Sequence, residues 1–213
     1  DGKIALSWAA IHPDNYYVVS DKADRLLTQG KTNEAIPLIE KAIKIYPREA
    51  SNYALLAQLY RRASQTNEEA KVLRDWVRHD DEAPTALLRL LELKAEDPKS
   101  LQNYAQDLLE IDPLSPAPYR ALGEAEVKLG DAAKAVKNFE TVLKLDPIDP
   151  AQVHYQIAEI VQKNDLKSAR RHLLLALDEA PRFRDAHRLL LEVEERAHEA
   201  DKKTSALSKP DGQ

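Results

Sequence analysis

The stretch "VLKLDPIDP", Val142 to Pro150, closes one apolar segment and opens another, and "LLEIDPLSP", Leu108 to Pro116, does the same 34 residues earlier. In each, the first Pro stops a helical pattern, because it has no N–H to donate and its ring clashes with the preceding turn. Asp149 with Pro150, and Ser115 with Pro116, then start the next helix, since Pro is tolerated at the first helical position. The stop recurs in "IKIYP", ending at Pro47, and in "LDEAP", ending at Pro181. From Pro47 to Pro113 is 66 residues, two periods less two, and the next two intervals are 34 each. A fixed interval of that size marks a repeated supersecondary unit, and the spaced prolines are its boundaries.

Smaller residues keep the same step. Ala35, Ala135 and Ala169 each lie twelve residues before a closing Pro, and Ala42 and Ala176 lie five before one. Gly30 and Gly130 precede Ala35 and Ala135 by five. The pattern predicts two helices per unit. The first ends where Gly takes the left-handed position past the helix end, in "TQGK" and "KLGD". Thr32 or Asp131 then caps the second helix by accepting from its orphan N–H groups. Gly123, Ala57 and Ala158 on first helices, and Ala135 on a second, fall where neighbouring helices must approach closely. Leu122, Ala125 and Leu129, then Val136, Phe139 and Leu143, recur at helical spacing and predict the faces that stack.

Composition agrees with an all-α chain. Of 213 residues, 43% are hydrophobic and 31% charged, Gly is rare at 5, and the net charge is -5. Ala, Leu, Glu, Lys, Arg and Gln dominate, and these lose least side-chain freedom in a helix. With no Cys in the chain, disulfides, Cys-ligated zinc, iron–sulfur clusters and thiol nucleophiles are excluded. No apolar run approaches the ~20 residues of a membrane-spanning helix, and a sequence pI of about 5.7 argues against a nucleic-acid surface. The chain starts at Asp1 without Met or a signal-peptide core, the expectation for a processed product or an excised piece of a soluble protein, with its compartment unknown.

The 34-residue helix–turn–helix, with small residues at its eighth, twentieth and twenty-seventh positions, an aromatic at the twenty-fourth and Pro at the thirty-second, resembles the tetratricopeptide repeat. Pro116 to Pro147 carries it through Tyr119, Leu122, Gly123, Gly130, Ala135, Phe139 and Pro147. Tyr16 to Pro47 carries it through Ala23, Gly30, Ala35, Ala42 and Pro47, and Ala151 to Pro181 with one residue missing from its turn. The Ala50 to Asp81 unit keeps Tyr53, Leu56, Ala57, Tyr60 and Ala70 but lacks the closing Pro; Glu82 to Pro113 is degenerate, with "AEDPKS" in place of a Gly turn. The resemblance implies a right-handed α-solenoid of antiparallel helix pairs. Residues 15–181 would form five pairs, the third degenerate, after residues 1–14 as the remnant of a preceding helix. Residues 182–203 would form a solvating cap, and residues 204–213 a flexible tail. For residues 3–13 the second helix of a truncated unit, with Trp8 inward, and a short strand are both open.

On the same resemblance, first helices line a concave groove that binds a protein or peptide in extended form. Groove positions carried onto this chain are Tyr17, Ser20 and Asp24; Gln58, Arg61 and Arg62; Arg120, Glu124 and Lys128; Tyr155, Glu159 and Lys163; and Arg188. Tyr and Arg are enriched at binding hot spots, although the same residues also serve as solvated helix positions making i,i+4 pairs. The clamp that some family members use for a C-terminal carboxylate is built of Lys, Asn, Asn, Lys and Arg. Here Ser20, Asp24 and Leu55 stand at the first positions, and Asp24 would repel such a tail.

Nothing in the sequence supplies a catalytic, cofactor or metal site, and the expectation is no enzyme. His12, His79, His154, His172, His187 and His198 are scattered, with no i,i+4 pair and no H-E-x-x-H, so isolated histidines are expected. "ARRHLL" (Ala169 to Leu174) reads as a solvated face, or as an anion patch on the second helices, and "HDDEAP" (His79 to Pro84) as a cap for the helix near Pro84. A weaker resemblance links the stretch from Asp149 to the repeat regions of large bacterial gluzincin-type peptidase-like proteins, and implies a spacer or docking region of such an enzyme. No nucleic acid and no membrane insertion are expected, whereas self-association through an exposed terminal helix is.

Overall fold

The computed structural model describes residues 12, 14–80, 82–94, 97–145 and 147–207, and the side chains within residues 203–207 and at 201 are outside that description. Among the described residues there are eleven α-helices and no strand. They fall into two compact units that divide after Asp97. The first unit holds α1 (Tyr16–Thr28), α2 (Thr32–Ile45), α3 (Ala50–Arg62), α4 (Thr66–His79) and α5 (Pro84–Leu93). The second holds α6 (Pro98–Ile111), α7 (Pro116–Leu129), α8 (Ala132–Lys144), α9 (Pro150–Val161), α10 (Leu166–Glu179) and α11 (Arg184–Leu207). Within each unit every helix packs on its neighbour in the chain. The division falls inside the segment Glu82 to Pro113 read from sequence as the degenerate third pair. The expected helix remnant at residues 1–14, with Trp8, lies almost wholly outside the described residues, as do residues 208–213. α11 continues in helix to Leu207, beyond the cap boundary at residue 203.

Three first helices end alike. At α1 the Gly30 N–H reaches Leu27 O at 2.9 Å and the Lys31 N–H reaches Leu26 O at 2.9 Å. At α7, Gly130 bonds Val127 at 3.2 Å and Asp131 bonds Glu126 at 2.9 Å; at α3, Ser64 bonds Arg61 at 3.0 Å and Gln65 bonds Tyr60 at 2.9 Å. The paired bonds satisfy carbonyls left over at the helix end, and they require the middle residue to be left-handed. Gly30 at φ +74° and Gly130 at φ +84° adopt that conformation easily, whereas Ser64 is held there at φ 56°. Between α9 and α10 no residue is left-handed; the Asn164 and Asp165 N–H groups both reach Val161 O, at 3.0 and 2.8 Å.

Second helices begin with side-chain caps in the second unit. Asp131 accepts from the Lys134 N–H at 3.2 Å and Asp165 from the Ser168 N–H at 2.9 Å. Asp149 caps the first helix α9 through the Gln152 N–H at 3.1 Å. Two expected caps fail. Thr32 is the first residue inside α2, so its neighbour Lys31 holds the cap position and makes no side-chain bond there. The cap position of α5 is Ala83, also without such a bond, because Asp80 is turned back to the Trp76 indole N–H at 3.1 Å and the Glu82 N–H at 3.2 Å.

The repeated stop has a second function that its letters do not announce. The Tyr53 hydroxyl donates to Pro47 O at 3.0 Å, the Tyr119 hydroxyl to Pro113 O at 3.2 Å, and the His187 Nε2–H to Pro181 O at 3.0 Å. In each case the donor lies six residues after the closing Pro. A side chain from the next first helix therefore fastens the carbonyl that the stop leaves unpaired. Pro147 has Val153 at that place, which cannot donate.

The stacking faces are largely as the spacing predicts. Ala135, Phe139, Val142, Val153 and Ile157 form one buried cluster, and Ala158, Ala169, Leu173, Ala176, Ala186, Leu189 and Val193 another that joins α9, α10 and α11. Gly123 is small because Phe139 lies over it: a Cβ there would sit 2.9 Å from Phe139 Cζ. Leu129, expected on the apolar stripe, is instead exposed at the end of α7. It is the last residue of that helix.

Candidate functional site

The groove positions lie on α1 and α3 in the first unit. Tyr17 is 75% exposed at the start of α1, edge-on to Tyr16 with centroids 5.4 Å apart, and Asp24 is exposed two turns on. Gln58, Arg61 and Arg62 are exposed on the last turns of α3. Arg61 is not at liberty. Its Nε donates to Glu69 Oε1 at 2.9 Å, and Arg89 of α5 grips the same carboxylate at 2.7 and 3.2 Å. Glu69 is 2% exposed. Burial pushes its pKa up, but the hydrogen bonds from Arg89 and Arg61 outweigh that, and the net shift is downward. A buried carboxylate is tolerable only with such partners.

In the second unit the positions lie on α7, α9 and α11, with Lys163 in the turn just after α9. Arg120 and Glu124 are partly exposed and Lys128 is exposed; Tyr155 is partly exposed, while Glu159, Lys163 and Arg188 are exposed. From α7 to α9 and the turn after it the three positions repeat at 35 residues, pairing Arg120 with Tyr155, Glu124 with Glu159, and Lys128 with Lys163. Tyr155 is braced by Phe183, with centroids 5.0 Å apart, and donates to Glu159 at 2.9 Å. Burial, then Glu159, push its hydroxyl pKa to about 12. Arg188 pairs with Asp185 at 2.7 Å. Among the described residues neither Lys128 nor Lys163 is engaged in an ion pair.

A cleft that sequence reasoning missed opens between the second helices α2 and α4, with α3 as its floor and a volume of about 500 Å³. Tyr53, Leu56 and Tyr60 form the floor, and Glu40, Lys44 and Lys71 stand on its rim. Tyr60 donates to Glu40 at 3.2 Å. The rim mixes both signs of charge, and no motif in the sequence singles it out.

The histidines expected to stand apart do not all do so. His154 of α9 and His172 of α10 meet across the hairpin with Nδ1 atoms 3.0 Å apart, and His172 is 5% exposed. Burial lowers the pKa of both. For His172, His154 and Arg171 add to the effect and bring it to about 4; for His154, Glu179 opposes and Arg171 adds. Nor is "ARRHLL" a free anion patch, since Arg170 is paired with Glu194 of α11 and His172 is buried. Among the described residues no group of three or more His, Cys, Asp or Glu side chains could hold a metal ion, and no helix is long and apolar enough to cross a membrane.

Helix pairs of near-constant length, joined by repeated caps and presenting rows of polar side chains from alternate helices, define a helical-repeat protein. Such proteins act through faces. The tetratricopeptide repeat profile matches residues 20–86 and 120–182, together more than half of the chain. The chain belongs to the tetratricopeptide repeat family. Its fold is similar to that of YrrB, described as a TPR protein with an unusual peptide-binding site, at a TM-score of 0.66 and 19% identity over 89% of this chain and 97% of that one. It is similar to MamA at 0.63 and 18% over 77% and 91%, and to PilF of Pseudomonas aeruginosa at 0.56 and 20% over 89% and 87%. Members of this family typically serve as non-catalytic protein–protein interaction modules.

Proposed function

We propose that the chain binds an extended protein or peptide segment along the exposed faces of its first helices. In the second unit the contacts are Arg120, Glu124, Lys128, Tyr155, Glu159, Lys163 and Arg188; the first unit offers Tyr17, Asp24, Gln58, Arg61 and Arg62. The observation that carries this reading is the pair Lys128 and Lys163. Both are exposed and, among the described residues, outside any ion pair; Lys128 stands in the last turn of α7 and Lys163 in the turn just after α9, 35 residues on. Tyr155, two turns before Lys163 in the chain, packs against Phe183, and a stiff aromatic is a good anchor for a peptide. A peptide-binding site is what YrrB is described to carry. The spacer reading has no observation of its own.

The test is a pull-down with the chain and with an Arg120→Glu, Lys128→Glu, Lys163→Glu variant. Arg61 is left intact, because its loss would strip a partner from buried Glu69. Partners that depend on the face disappear with the reversed charges. Capture of the same partners in equal amount by both proteins would sink the reading.

A further inference from the structure

The contact between His154 and His172 has a geometry that limits what it can be. The ring centroids are 5.3 Å apart and the Nδ1 atoms 3.0 Å. The difference is about the sum of the two ring radii, so the imidazoles meet head-on, nitrogen to nitrogen along one line. Ligands of one metal ion would instead aim both lone pairs at a third point, with the rings drawn closer. A head-on contact needs a hydrogen between the two nitrogens. Arg171 Nη2 lies 3.4 Å from His172 Nε2, and a guanidinium only donates. His172 Nε2 is therefore the acceptor, its proton sits on Nδ1, and that N–H donates to His154 Nδ1.

We propose that this pair is an acid-operated release between α9 and α10, which ties the hairpin when one proton is shared and forces it open when both rings are charged. Two imidazolium rings have no lone pair left to hold the bond. The charges that act on the rings are Arg171, which adds a third cation, and Glu179, which offers partial relief to His154; both are on α10. Among the described residues α8 and α11, packed on the hairpin's other sides, contribute none. α9 carries Tyr155 and Glu159, and the turn joining it to α10 carries Lys163, so on the proposed binding reading the release would withdraw them from their face. The sign follows from linkage. A group ordinarily titrating at 6.5 but held at about 4 in the fold takes up protons preferentially when exposed, so stability falls as pH drops through that window.

The experiment is amide hydrogen exchange on the whole chain at about pH 7.5 and about pH 5, corrected for intrinsic rates, which tests the release without any binding partner. From the His172 shift alone, protection over residues 150–179 falls about 30-fold on acidification, while residues 50–79 of the first unit keep theirs. His172→Asn puts a non-titrating N–H where Nδ1 donates, and the about 30-fold share that His172 contributes is missing from its loss. Equal loss in both stretches, no loss in either, or the full loss in His172→Asn overturns the proposal. Should that variant not fold, nitrogen NMR of the wild-type imidazoles decides: a His172 midpoint near 4, with the proton on Nδ1, is expected, and a midpoint between about 6 and 7 overturns it.

Discussion

Single residues carry the turns of this fold, and their cost is visible where the residue is the wrong one. Ser64 occupies the left-handed place that Gly30 and Gly130 fill elsewhere, and an L side chain there costs about 1–2 kcal/mol, part of which Gly returns as lost chain entropy. Ser64→Gly should accordingly raise stability by about 1 kcal/mol in thermal or denaturant unfolding. Gly123→Ala should do the reverse. Its new Cβ would lie between 2.9 and 3.1 Å from three atoms of the Phe139 ring, and overpacking of that kind costs about 1–3 kcal/mol, read as a lower unfolding midpoint. Gly30 and Gly130 were legible as helix ends because the two positions repeat in step with the alanines. The buried Glu69 was not, since its partners Arg61 and Arg89 stand eight and twenty residues away and look like any surface charges.

At the scale of elements, the helix hairpin explains both what spacing revealed and what it hid. Residues equidistant from a turn face each other: Gly123 and Phe139 are each eight residues from Asp131, and His154 and His172 are each nine from Lys163. A search for i,i+4 neighbours looks along one helix only, and so it passed over the histidine pair. The closing prolines gave the element boundaries, and the side chains that fasten them are testable. Tyr119→Phe removes one hydrogen bond to Pro113 and keeps the ring, so a loss of about 1 kcal/mol is expected in equilibrium unfolding. Thr32 and the acids before Pro84 misled for a physical reason. A capping side chain must sit one residue outside the helix, and a sequence pattern places that boundary only to within a residue or two.

At the scale of the molecule, the last helix closes the core of the second unit. α11 supplies Ala186, Leu189 and Val193 to the cluster that covers Ala169, Leu173 and Ala176 of α10. Ending the chain at residue 181 would lay that surface bare, and exposed apolar faces of repeats stack on one another. The truncated protein should unfold at a lower temperature and elute as a larger species in size-exclusion chromatography. The groove residues were placed on first helices by the repeat register, and Lys163 falls instead in the turn after α9. The register could not say which of them would be spoken for, because Arg61 is claimed by a side chain from another helix.

The fastening of Pro47, Pro113 and Pro181 by a residue six places later belongs to the boundary between repeats, and it makes a concatenated protein easy to specify. Joining copies of residues 114–147 end to end would set Tyr119 six residues after every Pro147, whereas copies of residues 148–181 would set Val153 there. The first array would carry a bond at each seam and the second would carry none. At equal copy number the first should resist heat better, by about 1 kcal/mol for every seam, with the gap in calorimetry widening as copies are added.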